Sequence, residues 1–590
     1  MKFSFVTLCL LSQFAVQASD LLPPLMPWQG ASESLIQPKS PWVTPAELNG
    51  LVDSPDYQAT MVYLKKLVES SSELRMEVIG QSPQGRDIVI VKASRQPDLL
   101  GKSGRPTVLI QAGIHSGEID GKDAGLMLLR DIVHGGKSAL LDNVDVLFLP
   151  IFSVDAHERR SSHNRMNQRG PVQQGWRATA QNLNLNRDYA KADAPEMQAL
   201  IRILNQYNPD LYLDVHVTDG EDYQYDITYG FNEAFAAVSA NSASWLSSVY
   251  RPSIDQALAT QGHIPGPLVF GVDPMDFSKG ISNSPSTPRF SIGYGDVRHL
   301  PTILIENHSL KPFKQRVLGT YVLLEQTLKL LGEQGKVLQL AKKADENARP
   351  PRQVLQYKTA EQPETMAFKG ISYEIAHSDI INGPYVKWTG QPKNYTELPV
   401  WVDKVPAVEV DVPKAYWIPP QYQDVIARLK LHGVQMTELK AAKTLPLQQL
   451  AASAPSFSEE PFEGRFMVSA SFEATWLDYM LPAGSVRVST DQPLGALVVA
   501  LLQPEAPDSF FSWGFFHGMF QRTEYFERYA LLPWIEQQLK VDAQLKADFE
   551  SAKKADVKLQ KDGEARLQWF YQRSPFYDAT YLKYPVLLEP

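Results

Sequence analysis

Residues 108–118 read VLIQAGIHSGE, an apolar run with little alternation that breaks at Gly113 and leads straight into His115 and Glu118. Runs of the same texture recur at 144–152 (VDVLFLPIF), 211–215 (LYLDV) and 302–305 (TILI). Short apolar runs of this kind, bounded by turn residues, read as strands buried on both faces, as in a parallel sheet covered by helices. Helical patterns fall between them, notably Lys122 to Val133 and Pro195 to Tyr207. Strands and helices therefore alternate through roughly the first 340 residues, which predicts an α/β sheet with helices on both sides.

Upstream, Met76–Ile79 and Ile88–Val91 flank QSPQGR, whose Pro83 and Gly85 supply turn chemistry, so a hairpin is expected. Before it, Tyr57, Met61, Leu64 and Val68 share one helical face, and Ser54 and Pro55 read as N-cap and first helical position. Downstream, Ala341 to Gln362 is rich in charge and proline (ENARPPRQ), which sets an expected domain boundary. Beyond it, Phe466, Val468, Ala470 and Phe472 alternate with smaller or polar residues, and Val486 and Val488 follow a turn at Pro482–Gly484. That texture predicts a β-rich α+β accessory domain with a core of its own. The aromatic stretch at 510–526, FFSWGFFHGMFQRTEYF, is expected to be core, because aromatic side chains mostly bury.

Composition narrows the function classes. The chain has 590 residues, 44% of them hydrophobic, enough for more than one cored domain. A formal charge of -9 provides no basic field for nucleic acid. Residues 1–18, with Lys2, an apolar stretch and small residues near Ala18, read as a signal peptide, and residues 19–48 as an N-terminal extension. The one cysteine, Cys9, lies inside that peptide, so a mature exported chain has no disulfide, no cysteine metal site and no thiol nucleophile. No later run is apolar and long enough for a transmembrane anchor. HGGKS at 134–138 lacks the first glycine of a phosphate loop, and no GxSxG occurs.

Polar residues that can carry chemistry stand where the apolar runs end: His115 and Glu118 after the first, His216 after DLYLDV, Glu306 after TILI. In open α/β sheets, sites form outside the carboxyl ends of the strands, so one crevice can collect all four. Catalytic zinc takes three nitrogen or oxygen ligands and keeps one position open, a set that His115, Glu118 and His216 supply. The HxxE spacing by itself also suits a loop histidine beside a helix-capping glutamate. Between Asn164 and Tyr189, however, four arginines lie among asparagines and aromatics, and Asn186 with Arg187 can hold a carboxylate by a guanidinium fork. The remaining histidines, including His134, His157, His163, His263, His299 and His308, are assigned to structure or solvent.

With these pieces in view, the chain resembles the zinc carboxypeptidase family, which includes carboxypeptidases A and B, and especially its larger exported bacterial members. The resemblance runs from about Val52 to Leu330 and rests on IGQSPQGRDIVIVKAS, GIHSGE, FSVDAHERR, NRMNQ, NLNLNRD, DVHV and ILIENHSLKP, in that order. It implies a mixed, mostly parallel eight-stranded sheet flanked by helices over a catalytic domain at 49–345, followed by the accessory domain at 346–590. It further implies one zinc ion per chain on His115, Glu118 and His216, Glu306 as general base, and Asn186 and Arg187 gripping the terminal carboxylate of a peptide. Three positions depart from the family pattern. Asn184 stands where the family has an acidic partner for the first zinc histidine. Counting along NRMNQ puts Gln168 at the oxyanion arginine, which leaves Arg165 as first choice and Arg169 as second. No motif matches the tyrosine that closes over substrate, and Tyr294 in GYGDVRH is the nearest in sequence.

The expected activity is zinc-dependent hydrolysis at the carboxyl end of a peptide. Two alternatives keep the site but change its use. One is cleavage of peptidoglycan stem peptides or N-acyl amino acids on the same fold; the other is a zinc-bearing binding protein that does no chemistry.

Overall fold

A computed structural model describes residues 21–590, so the expected signal peptide and Cys9 lie outside the described residues. The largest sheet is built from β1 (Leu74–Gln81), β2 (Asp87–Ala93), β3 (Thr107–Ala112), β4 (Asp145–Leu149), β5 (Leu211–Val217), β6 (Ile227–Gly230) and β7 (Pro265–Gly266). A later strand, β9 (Thr302–Asn307), enters its middle, whereas β8 (Ile281–Asn283) lies outside it. Its order is β1-β2-β4-β3-β5-β9-β6-β7, eight strands as expected. The pairs β4–β3, β3–β5, β5–β9 and β6–β7 are parallel, and the predicted hairpin is the antiparallel β1–β2 edge.

Both faces of this sheet are buried, and alternate side chains divide between them. Val108, Ile110, Val146 and Phe148 join one apolar cluster with the helices Asp120–His134 and Phe313–Asn347. Leu109, Leu147 and Leu149 join a second cluster on the opposite face with the helix Pro195–Tyr207. A period of two with apolar residues at every position is what a sheet covered on both sides requires, and it explains the unbroken runs in the sequence.

One cap differs from expectation. The first long helix is Tyr57–Glu69, and its N-cap is Asp56, whose side chain accepts from Ala59 N–H. Ser54 is instead engaged away from the helix, its hydroxyl donating to Asp123 at 2.6 Å.

The helix Phe313–Asn347 ends just before Arg349-Pro350-Pro351, where proline removes both the donor and the helical conformation of its neighbour. Two further sheets follow. In one, β10 (Arg352–Thr359), β11 (Glu364–Ser378) and β12 (Gly383–Asp411) pair antiparallel, and β8 adds to β12 in parallel. The other contains β13 (Ala415–Ile418), β14 (Thr437–Glu438), β15 (Lys443–Phe457), β16 (Val468–Leu481), β17 (Val486–Ser489) and β18 (Leu587–Glu589). Phe510, Phe511, Trp513 and Phe516 are buried, while Tyr525 at the end of the aromatic stretch is exposed. Tyr416, Val488, Leu501 and Phe510 lie in the same apolar cluster as Ile88, Leu109 and Leu200, while Leu531, Ile535, Phe549 and Trp569 form a cluster of C-terminal residues alone. The β-rich half packs directly on one face of the largest sheet.

A candidate metal centre at the carboxyl edge of the sheet

Strands β3, β5 and β9 are parallel neighbours, so their carboxyl ends open on one edge. β3 runs into a tight turn in which Gly113 has φ +69°, and a Cβ there would meet Ile119 Cδ1 at 2.9 Å. That turn brings His115 and Glu118 over the end of β5, where His216 sits, and Glu306 is the register partner of His216 on β9. His115, Glu118 and His216 are at most 3% exposed.

One ligand atom from each of these three residues lies within 4.8 Å of the others, the one such group among the described residues. His115 Nδ1 is 3.2 Å from Glu118 Oε1, and His216 Nδ1 is 3.0 Å from Glu118 Oε2. A tetrahedral ion held at about 2.0–2.2 Å places its ligands roughly 3.3–3.6 Å apart, so the set needs only small adjustments to close around one. His115 Nδ1 is buried without a hydrogen-bond partner. A buried polar atom left unpaired is costly, and an ion on that nitrogen removes the cost. The residues present fit a zinc ion.

Around them, other side chains set orientation and charge. Asn184 Oδ1 lies 2.9 Å from His115 Nε2, which turns Nδ1 toward Glu118. His216 Nε2 is 3.0 Å from Asp214 Oδ2. Burial pushes the His115 imidazole down, toward the neutral form that binds metals. Burial works the other way on the Glu118 carboxyl, but His115 and Arg165 hold it well below the usual range. The His216 ring is raised despite burial, by Asp214 and Glu118.

Glu306 faces the same cleft, a cavity of about 520 Å³ that also takes in Arg177, Asn186 and Arg187. Its Oε2 is buried without a partner. Burial, opposed by His216 but reinforced by Glu118 and Asp219, pushes its carboxyl up to about 8. Asn186 follows Asn184 closely, its N–H donating to Asn184 Oδ1 at 2.9 Å. Arg187 gives one donor to Asn186 O at 2.7 Å and lies over the Phe290 ring at 4.4 Å, so part of its fork stays open to the cleft. Burial and the neighbouring Arg177 cation both disfavour its charge, which an anion in the cleft would relieve.

The other expected residues are placed differently. Arg165 is 8% exposed and its guanidinium donates to Glu118 Oε1 at 2.7 Å, so it braces a ligand. Gly117 permits this approach, since a Cβ there would meet Arg165 Cγ at 2.7 Å. Arg169 does not reach the cleft: it donates to the carbonyls of Leu310, at 3.0 Å, and Pro23. Tyr294 is corrected as well. It is 1% exposed, and its hydroxyl lies 2.8 Å from His432 Nδ1 and accepts from Arg298 at 3.0 Å, away from substrate.

The residue missed is Arg177. Its guanidinium is 41% exposed, lines the cleft and lies 3.4 Å from Glu118 Oε1. Ser116 N–H donates to Trp176 O at 3.0 Å, which fixes this segment beside the ligand loop. The sequence did mark it as one of four arginines in a polar loop, but loops lack the periodicity that would give it a facing.

Comparison with known proteins finds similarity over the part of the chain that holds most of these residues. The family model described as zinc carboxypeptidase matches residues 60–261, a span that includes His115, Glu118, Asn186, Arg187 and His216 but ends before Glu306. Carboxypeptidase 2 of Trichophyton tonsurans is 22% identical over 506 residues, covering 80% of this chain and 87% of that protein. Carboxypeptidase 2 of Trichophyton rubrum is 22% identical over 482 residues, covering 77% and 82%. Among solved structures, carboxypeptidase A from Helicoverpa armigera is 17% identical with a TM-score of 0.35, over 49% of this chain and 74% of that one. A metallo-carboxypeptidase from Pseudomonas aeruginosa, solved with (2-guanidinoethylmercapto)succinic acid, is 16% identical with a TM-score of 0.34, over 47% and 69%. The part of the chain that builds most of the eight-stranded sheet is therefore similar to the zinc carboxypeptidase family of metallopeptidases.

Proposed function

We propose that this enzyme removes residues from the carboxyl end of peptides, with zinc held by His115, Glu118 and His216. The observation that carries the reading is the presence of Asn186 and a partly open Arg187 in the same cleft as these ligands and Glu306. A cleft for internal peptide bonds has no use for a half-buried fork that recognises an anion.

Zinc bound there supplies a Lewis acid and a water of lowered pKa. The chain's own residues supply the rest. Arg187 and Asn186 fix the terminal carboxylate and so set the scissile bond at one distance from the ligands. Glu306 accepts a proton from water and returns it to the departing amine; burial favours its protonated form, and a cation held by His115, Glu118 and His216 would favour the ionised form that this role needs. Arg177, exposed to the cleft where Arg165 is not, meets the negative charge that develops on the carbonyl oxygen. Leu268, Ile292 and Leu304 line part of the cleft, which favours an apolar terminal side chain.

Residues 1–18 support export, and no helix among the described residues is long and apolar enough to cross a membrane. Residues 346–590 are read as an accessory region, none of whose residues lines the cleft. Incubating zinc-loaded protein with a mixed pool of peptides and muropeptides, then reading products by mass spectrometry, tests the proposal. Loss of single carboxyl-terminal residues is the expected result; internal cuts or deacylation alone would reject it.

A further inference from the structure

Asn184, which orients His115, is itself held from far along the chain. Its backbone N–H donates to Glu463 Oε2 at 2.7 Å. Glu463 sits at the tip of a two-residue hairpin: Phe462 and Arg465 form an antiparallel bridge, with Phe462 N to Arg465 O at 2.8 Å and the reverse bond at 3.0 Å. Glu463 and Gly464 have φ of +51° and +78°. A hairpin tip with two left-handed residues prefers Asn-Gly or Asp-Gly, because a longer side chain gains nothing there and strains the backbone. Glutamate is thus a poor choice for the turn and a good one for reach, and local misfit of this kind is characteristic of functional positions.

The tip is clamped against the catalytic half. Arg465 makes two bonds to Asp193, at 2.7 and 2.8 Å, and Arg428 adds a third at 2.7 Å. Phe462 stacks on Trp513, with ring centres 6.0 Å apart and planes 10° from parallel. Arg289 lies over both rings and pairs with Asp508 at 2.6 Å. These contacts leave Glu463 little freedom to move away from Asn184. Asn184 Oδ1 in turn faces His115 Nε2 and the Asn186 N–H, each at 2.9 Å, so one amide serves both the metal side and the carboxylate side of the cleft.

We propose that Glu463 is a positioning residue of the metal centre: by holding the Asn184 backbone, it fixes the amide that orients His115, so the β-rich C-terminal half completes the catalytic site. The proposal rests on the reading of His115, Glu118 and His216 as zinc ligands. Groups that orient a metal-binding histidine typically contribute roughly 10- to 100-fold to metal affinity, and Glu463 acts one bond further out, so the lower end applies.

The test uses the full chain and zinc alone, with affinity read by competition against a chelator and the melting temperature of metal-free protein read alongside. Glu463→Asp suits the turn better but is one methylene too short to reach Asn184. It is expected to melt no lower than wild type yet bind zinc roughly tenfold more weakly, with kcat reduced. Glu463→Gln keeps an acceptor at the same reach and is expected to restore affinity to near wild type. Zinc affinity in Glu463→Asp equal to wild type would overturn the proposal. His115→Ala separates this from failure of the site itself. If wild type binds zinc and His115→Ala does not, an unaffected Glu463→Asp rejects only the positioning role. If His115→Ala binds zinc as wild type does, both readings fall.

Discussion

Glu306 is the register partner of His216 across the parallel pair β5–β9, so the proposed base and a proposed ligand leave the same face of the sheet at neighbouring positions. In-register residues on adjacent strands point the same way, about 5 Å apart, which brings base and ligand together without help from any loop. In the proposed mechanism Glu306 transfers a proton and the metal is held by His115, Glu118 and His216.

Glu306→Gln is therefore expected to bind zinc with wild-type stoichiometry and to lose roughly 10²- to 10⁴-fold in kcat, the usual contribution of a positioned general base. Elemental analysis together with steady-state kinetics reads both quantities. Turnover close to wild type would remove Glu306 from the mechanism, and lost zinc would make it a ligand.

The two arginines on Glu118 Oε1 should separate by effect. Arg165, 8% exposed and 2.7 Å away, braces the ligand, so Arg165→Ala is expected to weaken zinc binding. Arg177, 41% exposed at 3.4 Å, faces the cleft, so Arg177→Ala is expected to keep zinc and lose roughly 10²-fold in kcat, as removal of an oxyanion donor does. The reverse pattern in zinc titrations and kinetics would exchange the two roles.

The sequence carries this site unevenly, and the reasons are physical. Strands β3, β5 and β9 were readable because both faces are buried, which leaves continuous apolar runs whose ends mark the catalytic edge. Arg177 and Tyr294 were not assignable. The first lies in a loop whose course is set by backbone bonds of Trp176 to Ser116 and Ala156, and the second turns on a short helix, Ser291–Val297, whose inward face is decided by His432 from the other half. The long strand β12 was hidden because Pro384, Pro392, Pro399 and Pro406 interrupt it, and proline argues against a strand interior. Glu463 was not assignable, since its proposed role depends on a contact with Asn184 and its strained turn shows only in the backbone.

Stability should carry a separate pH signature from Glu196, which is fully buried and whose carboxylate oxygens have no sound partner. Burial pushes this carboxyl up to about 7, with Asp155 and Asp188 adding to the shift and its own N-terminal helix position opposing it. A carboxyl raised in the folded state is protonated there when the unfolded chain has already released its proton. Stability is thus unaffected below the ordinary glutamate pKa, falls as pH rises from about 4.5 to about 7, and stays low above that. The deficit at pH 8 is about 3 kcal/mol. Glu196→Gln removes it, so the variant is expected to melt higher than wild type at pH 8 and equally at pH 4. Thermal scans at the two pH values check this, and equal shifts at both would show that ionisation is not the cause.

The last prediction separates an exopeptidase from an endopeptidase or deacylase on the same fold, and Arg187 is where they differ. Its guanidinium is half-buried, gives one donor to Asn186 O and stacks on Phe290, so it is held in place with donors to spare. A terminal carboxylate can accept two charge-assisted hydrogen bonds from such a fork, whereas an amidated terminus brings no charge and adds N–H donors facing a cation. Removing one partner of a buried charged pair costs about 2–5 kcal/mol, which corresponds to roughly 30- to 5,000-fold in specificity. Amidating the substrate is therefore expected to reduce kcat/KM by at least one to two orders of magnitude. Arg187→Ala should lower kcat/KM for the free acid by a similar factor while changing little for the amide, so the preference between the two substrates collapses. Zinc content should stay at wild type, because Arg187 touches no ligand. Wild-type enzyme that cleaves acid and amide equally well would reject the carboxypeptidase reading, and a preference that survives in Arg187→Ala would move carboxylate recognition to another residue of the cleft.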